Sequence, residues 1–365
     1  MKPDDIYYNA FNQIPQMGAV RFKKLLSYFP DMQTAWRSDI GELQKAGIEP
    51  NIAGIISAKR PEINPEKEFE KLEEHGITLL TIQSESYPKL LREIHAPPAV
   101  LYARGNTETL SHEYAVAIVG TRRVTPYGRQ VATMISKDLA NSGVAVVSGL
   151  AYGVDELTHR AALEVNGTII AVLGSGIDAE SIYPKTNRIL ADQIIEKGGV
   201  VITELPIGSL PLKFHFPYRN RIIAGLSLGV VVIEADLKSG SLITARAALE
   251  ENRQVFAVPG SIFNLKSMGP NNLIKMGAVA ITSAADILNV LNLKSAVQEK
   301  KAREIIPASA SEKKLLDILS DEPMHINQLI KESGLLASDV SSTLTMMEIK
   351  GIVKNLGAMQ YVRAR

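Results

Sequence analysis

From Gly76 onward the apolar positions fall into short, nearly unbroken runs at 77–82, 100–103, 115–119, 144–147, 168–173, 200–203, 230–234, 254–258 and 278–281. Between them, residues 127–141, 155–165, 186–197 and 241–251 carry apolar positions at helical spacing. Continuous rather than alternating apolar strands are buried on both faces, which requires a mostly parallel sheet covered by helices on each side. Upstream, residues 3–75 read as short helices punctuated by Gly and Pro. Downstream, residues 312–319, 326–333 and 340–350 read as helices, followed by two short strands around Gly357.

The expected fold class is therefore α/β, an extended Rossmann-like, doubly wound and mostly parallel sheet. It is flanked by a small N-terminal helical module and a C-terminal winged-helix domain. The expected partition is 1–75, 76–293, a linker at 294–311 that is charged and then small and polar, and 312–365. Ile14-Pro-Gln-Met-Gly18 ahead of a helix has the turn that opens a helix-hairpin-helix unit, and residues 43–59 hold a weaker second copy. Such a turn either offers backbone N–H groups to a DNA phosphate or is a tight corner between two helices. The residues leave both open. The third helix of the winged-helix segment is almost devoid of basic residues, which weighs against groove reading and toward a protein-contact or spacer role.

Composition narrows the classes. A chain of 365 residues favours two or three domains. The absence of cysteine removes disulfide frameworks and thiolate metal or redox sites, so no metal and no cofactor is expected. The N-terminus has no apolar signal core and no run approaches spanning length, so a cytoplasmic location without membrane insertion is expected. A net charge of +1 does not announce a nucleic-acid partner. If one exists, positive charge must be gathered locally.

In sheets of this kind ligands bind outside the carboxyl ends of the strands, and the motifs sit there. Gly120-Thr-Arg122 follows one strand and precedes a helix. Glycine allows close approach, Thr121 offers a hydroxyl or an N-cap, the helix terminus attracts an anion, and Arg122 adds a bidentate phosphate grip. Ser148-Gly149 ends the next strand, and in Ser148-Gly-Leu-Ala-Tyr-Gly-Val-Asp155 the acid is placed to cap the following helix, with His159 one turn on. No G-x-S-x-G elbow accompanies this Ser/Asp/His trio, so packing outweighs hydrolysis. Lys213, Phe216, Arg219, Asn220 and Arg221 form the densest cluster: cations for phosphates, a ring for an unpaired base, an amide for a base edge or the backbone. One of Arg219 and Arg221 is expected to be an internal strut and the other to face the groove. Ser239, Gly240, Ser241 and Thr244 open a further helix as a small-residue phosphate loop. The dinucleotide fingerprint and the G-x-x-x-x-G-K-[ST] loop are both absent, which excludes dehydrogenase and P-loop ATPase chemistry.

Taken in order, Gly120-Thr-Arg122, Ser148-Gly-Leu-Ala-Tyr-Gly-Val-Asp155, Phe214-His-Phe-Pro-Tyr-Arg-Asn-Arg221 and Ser239-Gly-Ser-Leu-Ile-Thr244 closely resemble the DNA-processing protein A (DprA/Smf) family. Tyr87-Pro88, Pro97-Pro98, Tyr183-Pro184 and Pro259-Gly260 extend the resemblance through about residues 80–290. It implies single-stranded DNA binding, a homodimer through the Rossmann-like domain, and loading of RecA recombinase onto incoming strands during natural transformation. Carried over by motif, Arg122, Lys213 and Phe216 hold the DNA while Ser148 and Gly149 line the cleft. The loop at 239–244 also resembles that of lysine-decarboxylase-like nucleotide phosphoribohydrolases, the enzyme alternative. Ala247 stands where their catalytic glutamate falls, and Glu250 is displaced along the helix, so binding without hydrolysis is expected. A winged-helix regulator with a ligand-sensing core is the remaining reading, disfavoured by the nearly neutral third helix.

Overall fold

The computed structural model describes residues 4–293, 309–320, 323–349 and 353–363. Most of the linker expected at 294–311 lies outside the described residues. The chain divides into two compact units, Met1–Leu291 and Asn292–Arg365.

Each of the nine apolar runs becomes a strand: β1 (Thr78–Thr81), β2 (Val100–Gly105), β3 (Ala115–Val119), β4 (Ala145–Ser148), β5 (Ile169–Val172), β6 (Val200–Thr203), β7 (Gly229–Val232), β8 (Gln254–Ala257) and β9 (Val279–Ala280). They form one sheet in the order β1-β2-β6-β5-β4-β3-β7-β8-β9. Strands β3 to β9 pair in parallel, whereas β1 and β2 join antiparallel at one flank. All of β3, β4, β5, β6 and β7 is buried, as unbroken Val/Ile/Ala runs require when helices cover both faces. Burying each valine, leucine or isoleucine of this cluster contributes about 1.5–3 kcal/mol, and each alanine less, which makes the cluster the main source of cohesion.

After β3 the chain builds β4, β5 and β6 outward on one side. It then returns, and β7 pairs with β3 on the other side, Ala117 opposite Val230. That reversal opens a crevice at the carboxyl ends of β3 and β7. The covering helices are Pro126–Asn141, Val154–Glu164, Arg188–Glu196, His215–Gly225 and Ser241–Glu250.

The helical N-terminal segment shares a compact unit with the sheet, so position 75 separates two stretches of chain but not two compact bodies. The reason is a buried polar junction. Tyr102 on β2 donates to Asn9 Oδ1 at 2.8 Å, and the Asn12 amide donates to the Tyr102 hydroxyl at 3.1 Å and to Glu204 O at 2.9 Å. The two hairpin turns are also stitched together. Arg21 and Lys24 reach Glu49 at 2.9 and 3.0 Å, and Lys24 donates to Gly47 O at 2.7 Å. Glu49 thus neutralises two cations beside the turns.

In the second unit the helices Ala310–Ile318, Ile326–Ser333 and Ala337–Ile349 pack through Leu315, Leu329, Val340, Leu344 and Met347. Its sheet has the order β10-β12-β11, from β10 (Met324–His325), β11 (Val353–Gly357) and β12 (Gln360–Arg363). Strand β10 was not expected from the sequence, because Met324-His325 lies in no continuous apolar run. The third helix carries Asp339 in its first turn and no base in its last. Among the described residues no helix is long and apolar enough to cross a membrane.

His159 is fully buried on Val154–Glu164, and burial pushes its pKa down to about 3 from 6.5, with the nearby Arg219 charge acting in the same direction. Between those values the unfolded chain binds a proton that the native state refuses, so stability rises with pH across the window and is lost as pH falls through it. Melting temperature is expected to drop on acidification from pH 7 to 5, with a limiting slope near 1.4 kcal/mol per pH unit from this group. His159→Leu should flatten that part of the profile. A variant with the wild-type pH dependence would show that another group governs it.

Candidate nucleic-acid interface

A cleft of about 480 Å³ opens at the switch point, with Gly120, Arg122, Phe216, Arg219, Asn220 and Ser239 among its lining. At Gly120 a Cβ would come within 2.6 Å of Val154 Cγ2, so only glycine lets this loop pass over the neighbouring helix. The exposed Arg122 guanidinium lies 5.3 Å from the centroid of the Phe216 ring, within cation–π range. Phe216 is half-buried, backed by Gly174, where a Cβ would meet it at 2.9 Å, and flanked by Tyr183 at 5.8 Å between centroids. A cation and an aromatic face are thereby presented side by side.

The other wall is the Ser239–Thr244 loop. Ser239 Oγ and Ser241 Oγ lie 2.9 Å apart, and Gly240 faces open space. Ser241 and Thr244 also line the cleft but are largely covered. Ala247 packs against the core, and Glu250 pairs with Arg246 at 3.4 Å on the exposed side of the helix, so neither offers a carboxylate to the cleft. Lys213 is exposed one turn before Phe216 but does not line the cleft.

Several residues expected at the surface of the site support it from beneath. Ser148 is fully buried and donates to Ile118 O at 2.6 Å, so it does not line the cleft. Gly149 does not line it either; it lies under the Arg219 guanidinium, where a Cβ would come within 2.5 Å of Nη1. Its N–H donates to Asp155 Oδ2 at 3.1 Å. Asp155 therefore holds this loop instead of capping the helix, whose N-cap is Gly153.

Of the two arginines expected to divide between strut and groove, both are held by internal partners, and Arg219 lines the cleft as well. Arg219 donates to Gly149 O at 2.7 Å, to Val172 O, and to Asn220 Oδ1 at 3.1 Å, while the Asn220 amide donates to Gly240 O at 3.3 Å. Arg221 pairs with Glu204 and stacks on Tyr218 at 4.4 Å. Burial lowers the Arg219 pKa to about 10 and raises that of Asp155, the attraction between the two opposing both shifts. Glu204 is pushed up to about 7 by burial, with Arg221 opposing.

A further correction concerns the helix terminus behind Gly120-Thr-Arg122. The N-cap is Thr125, not Thr121, and the terminus is already filled. Glu234, buried, accepts from Thr125 N at 2.9 Å and from Thr125 Oγ1. Its carboxylate occupies the place beside Gly128 where an external phosphate was expected. The cationic groups that this loop leaves exposed are arginine side chains, Arg122 and Arg123.

Sequence reasoning missed Arg123, Lys238 and Lys266 as cleft residues. Arg123 and Lys238 directly adjoin Arg122 and Ser239, so proximity to the motifs was the available signal. Lys266 comes from a separate loop and pairs with Asp236 at 3.2 Å, a meeting that no local pattern announces.

Residues 78–292 match the family model of DNA recombination-mediator protein A, and residues 299–359 match that of the DprA winged helix domain. Protein Smf of Synechocystis sp. is 36% identical across 99% of both chains. DNA processing protein DprA of Bacillus subtilis is 47% identical over 60% of this chain and 72% of its own. The X-ray structure of DprA from Streptococcus pneumoniae superposes with a TM-score of 0.68 at 36% identity, covering 79% of this chain and 98% of that one. A DprA structure from Helicobacter pylori, described for its single-stranded DNA binding mode, gives 0.53 at 34% identity over 59% and 95%.

Arg219→Ala is expected to destabilise the fold by about 3–5 kcal/mol, because it leaves the Asp155 carboxylate buried without its cationic partner. Arg219→Lys should recover only part of this, lacking the planar fork. Arg122→Ala, at an exposed position, should stay within about 0.5 kcal/mol of wild type. Urea unfolding measures all three, and an Arg219→Ala protein as stable as wild type would remove the strut from the account.

Proposed function

The chain belongs to the DNA recombination-mediator protein A (DprA/Smf) family, and we propose that it binds single-stranded DNA, protects incoming strands during natural transformation and helps load RecA recombinase onto them. The observation that carries this reading is the Arg122–Phe216 pair at the switch-point cleft. A guanidinium holds a phosphate while a ring stacks a base, and only an unpaired base can reach such a ring. The nearby acids are engaged internally: Asp155 with Gly149, Asp236 with Lys266, Glu234 with Thr125. They therefore repel the backbone less than free carboxylates would.

In this reading Arg122, Lys213 and Phe216 touch DNA. Gly120, Thr121, Ser239, Gly240, Ser241 and Thr244 shape the cleft, and Ser148, Gly149, Arg219, Asn220 and Arg221 support it. The protein acts by binding, not catalysis: the Ser239–Thr244 wall has no carboxylate, and the two acids that do line the cleft, Asp155 and Asp236, are engaged by the Gly149 N–H and by Lys266. It works in the cytoplasm, where RecA and incoming strands meet, with 1–75, 76–293 and 312–365 as its functional modules. It forms a homodimer through the Rossmann-like region. The chain between β8 and β9 supports this, because Ile262 and Phe263 there are 79% and 92% exposed, an unusual display of apolar surface.

Oligo(dT) is expected to bind more tightly than duplex of equal length, with little sequence preference and a steep fall with salt. Arg122→Ala should weaken binding and reduce the salt slope by about 0.7. Phe216→Ala should cost about 1–3 kcal/mol of affinity with the slope nearly intact. Equal or tighter duplex binding, or two folded variants with wild-type affinity, would overturn the reading. Incubation with nucleoside monophosphates should release no free base. For the dimer, sedimentation of Phe263→Asp at micromolar concentration should show a shift toward monomer. An unchanged dimer would place the interface elsewhere.

A further inference from the structure

We infer that the same strand has a second station beside the cleft, built from Arg123, Arg129 and Tyr152, where phosphates meet two further guanidinium groups and another unpaired base stacks on a phenol ring. This inference rests on the proposed single-strand binding and extends it to side chains to which the family resemblance assigned no role.

A second hollow of about 630 Å³ adjoins the cleft, lined by Arg122, Arg123, Arg129, Tyr152 and Glu156 among others. Arg122 and Arg123 line both hollows, so a strand leaving the first passes directly onto the wall of the second. The three arginines are exposed, and among the described residues none lies within 4.0 Å of a carboxylate oxygen. Elsewhere in this unit cations are commonly paired: Arg21, Arg104, Arg160, Arg221 and Arg253 all meet acids. The acid in the hollow, Glu156, is engaged by Arg160 at 3.0 Å. In a chain whose net charge is +1, three unpaired guanidinium groups on one wall are a local excess of the kind a polyanion needs.

The ring is placed there by backbone geometry. Leu150 and Gly153 have φ of 54° and 80°, which turns the intervening loop outward and leaves Tyr152 40% exposed. At Gly153 a Cβ would meet the Arg122 carbonyl at 2.7 Å, so glycine alone lets this loop lie on the Thr121–Arg122 backbone. Val154 N donates to Thr121 O at 3.2 Å and fastens the contact. Arg129 comes from the first turn of Pro126–Asn141, the turn anchored on Glu234 through Thr125. A cation and an exposed ring on rigid supports repeat the chemistry of Arg122 and Phe216. An isolated phosphate would use the arginines but leave the ring idle, whereas a strand uses both.

The test titrates the full-length protein with oligo(dT) of about six and about twenty nucleotides at several salt concentrations, lengths that bracket one short site and a longer path. Arg129 lines the second hollow and not the first, so Arg129→Ala should bind the short oligonucleotide nearly as wild type does. For the long one its salt slope should fall by about 0.7, the loss of one single-strand phosphate contact. Tyr152→Ala should weaken the long oligonucleotide roughly tenfold with the slope unchanged, and Tyr152→Phe should restore it. Circular dichroism checks folding, and Arg129→Glu is an independent surface variant that should exceed the effect of Arg129→Ala. Variants that bind both lengths like wild type, or lose affinity equally for both, overturn the second station. If Arg122→Ala and Phe216→Ala still weaken binding in that case, the first cleft stands alone. A wild-type protein that binds neither length removes both.

Discussion

Arg219 is the constraint on which the candidate site depends. Its guanidinium spans the carboxyl ends of β4 and β5, donating to Gly149 O and to Val172 O, with Asp155 as its charge partner. A fully desolvated cation is costly unless both its charge and its donors are satisfied, and here the strand ends supply the acceptors. That demand fixes where the helix His215–Gly225 crosses the sheet. Phe216, less than one turn earlier, is carried over the cleft as a result. Gly149 is a glycine because the guanidinium fills the space of a Cβ.

A second internal charge redirects the chemistry of the site. Glu234 fills the N-terminus of Pro126–Asn141 and ties the Thr121–Thr125 loop to the end of β7, through Thr121 N as well as Thr125. The loop gains rigidity, and the helix dipole is spent on the protein's own carboxylate. Arg122, Arg123 and Arg129, projecting from this rigid base, become the groups available to an anion. The same logic holds at Glu204, where Arg221 neutralises a carboxylate beside the carbonyl that receives Asn12. The N-terminal helices are joined to the sheet at that point.

Charge placement explains how a nearly neutral chain presents a basic face. Several cations at the periphery are neutralised by nearby acids, including Arg21 and Lys24 by Glu49 in the helical hairpins. At the switch point Arg122, Arg123 and Arg129 are left unpaired, while Asp155 and Glu234 beneath them are occupied by backbone N–H groups and internal partners and Asp236 is paired with Lys266. Net charge is blind to this arrangement because it sums over the whole surface, whereas a strand feels charges within about a Debye length, near 10 Å.

The sheet was legible in the sequence because its central strands are buried on both faces and so appear as unbroken apolar runs; all nine strands were locatable from that pattern, as were four of the five covering helices, His215–Gly225 being the exception. The chemistry-bearing loops were legible too, since Gly120, Gly149 and Gly240 mark strand-to-helix turns at the carboxyl edge. The roles within those loops were not. Whether an arginine such as Arg219 or Arg221 is a strut or a grip depends on which carbonyls and carboxylates the fold brings within about 3 Å, and those come from positions 17 to 70 residues away. Glu234 reads locally as the end of a strand, yet across the fold it takes the place of the anion that the adjoining motif was expected to bind. Local sequence determines secondary structure because backbone preference and burial period act over a few residues. Charge partnership acts through space, and only the tertiary structure decides it.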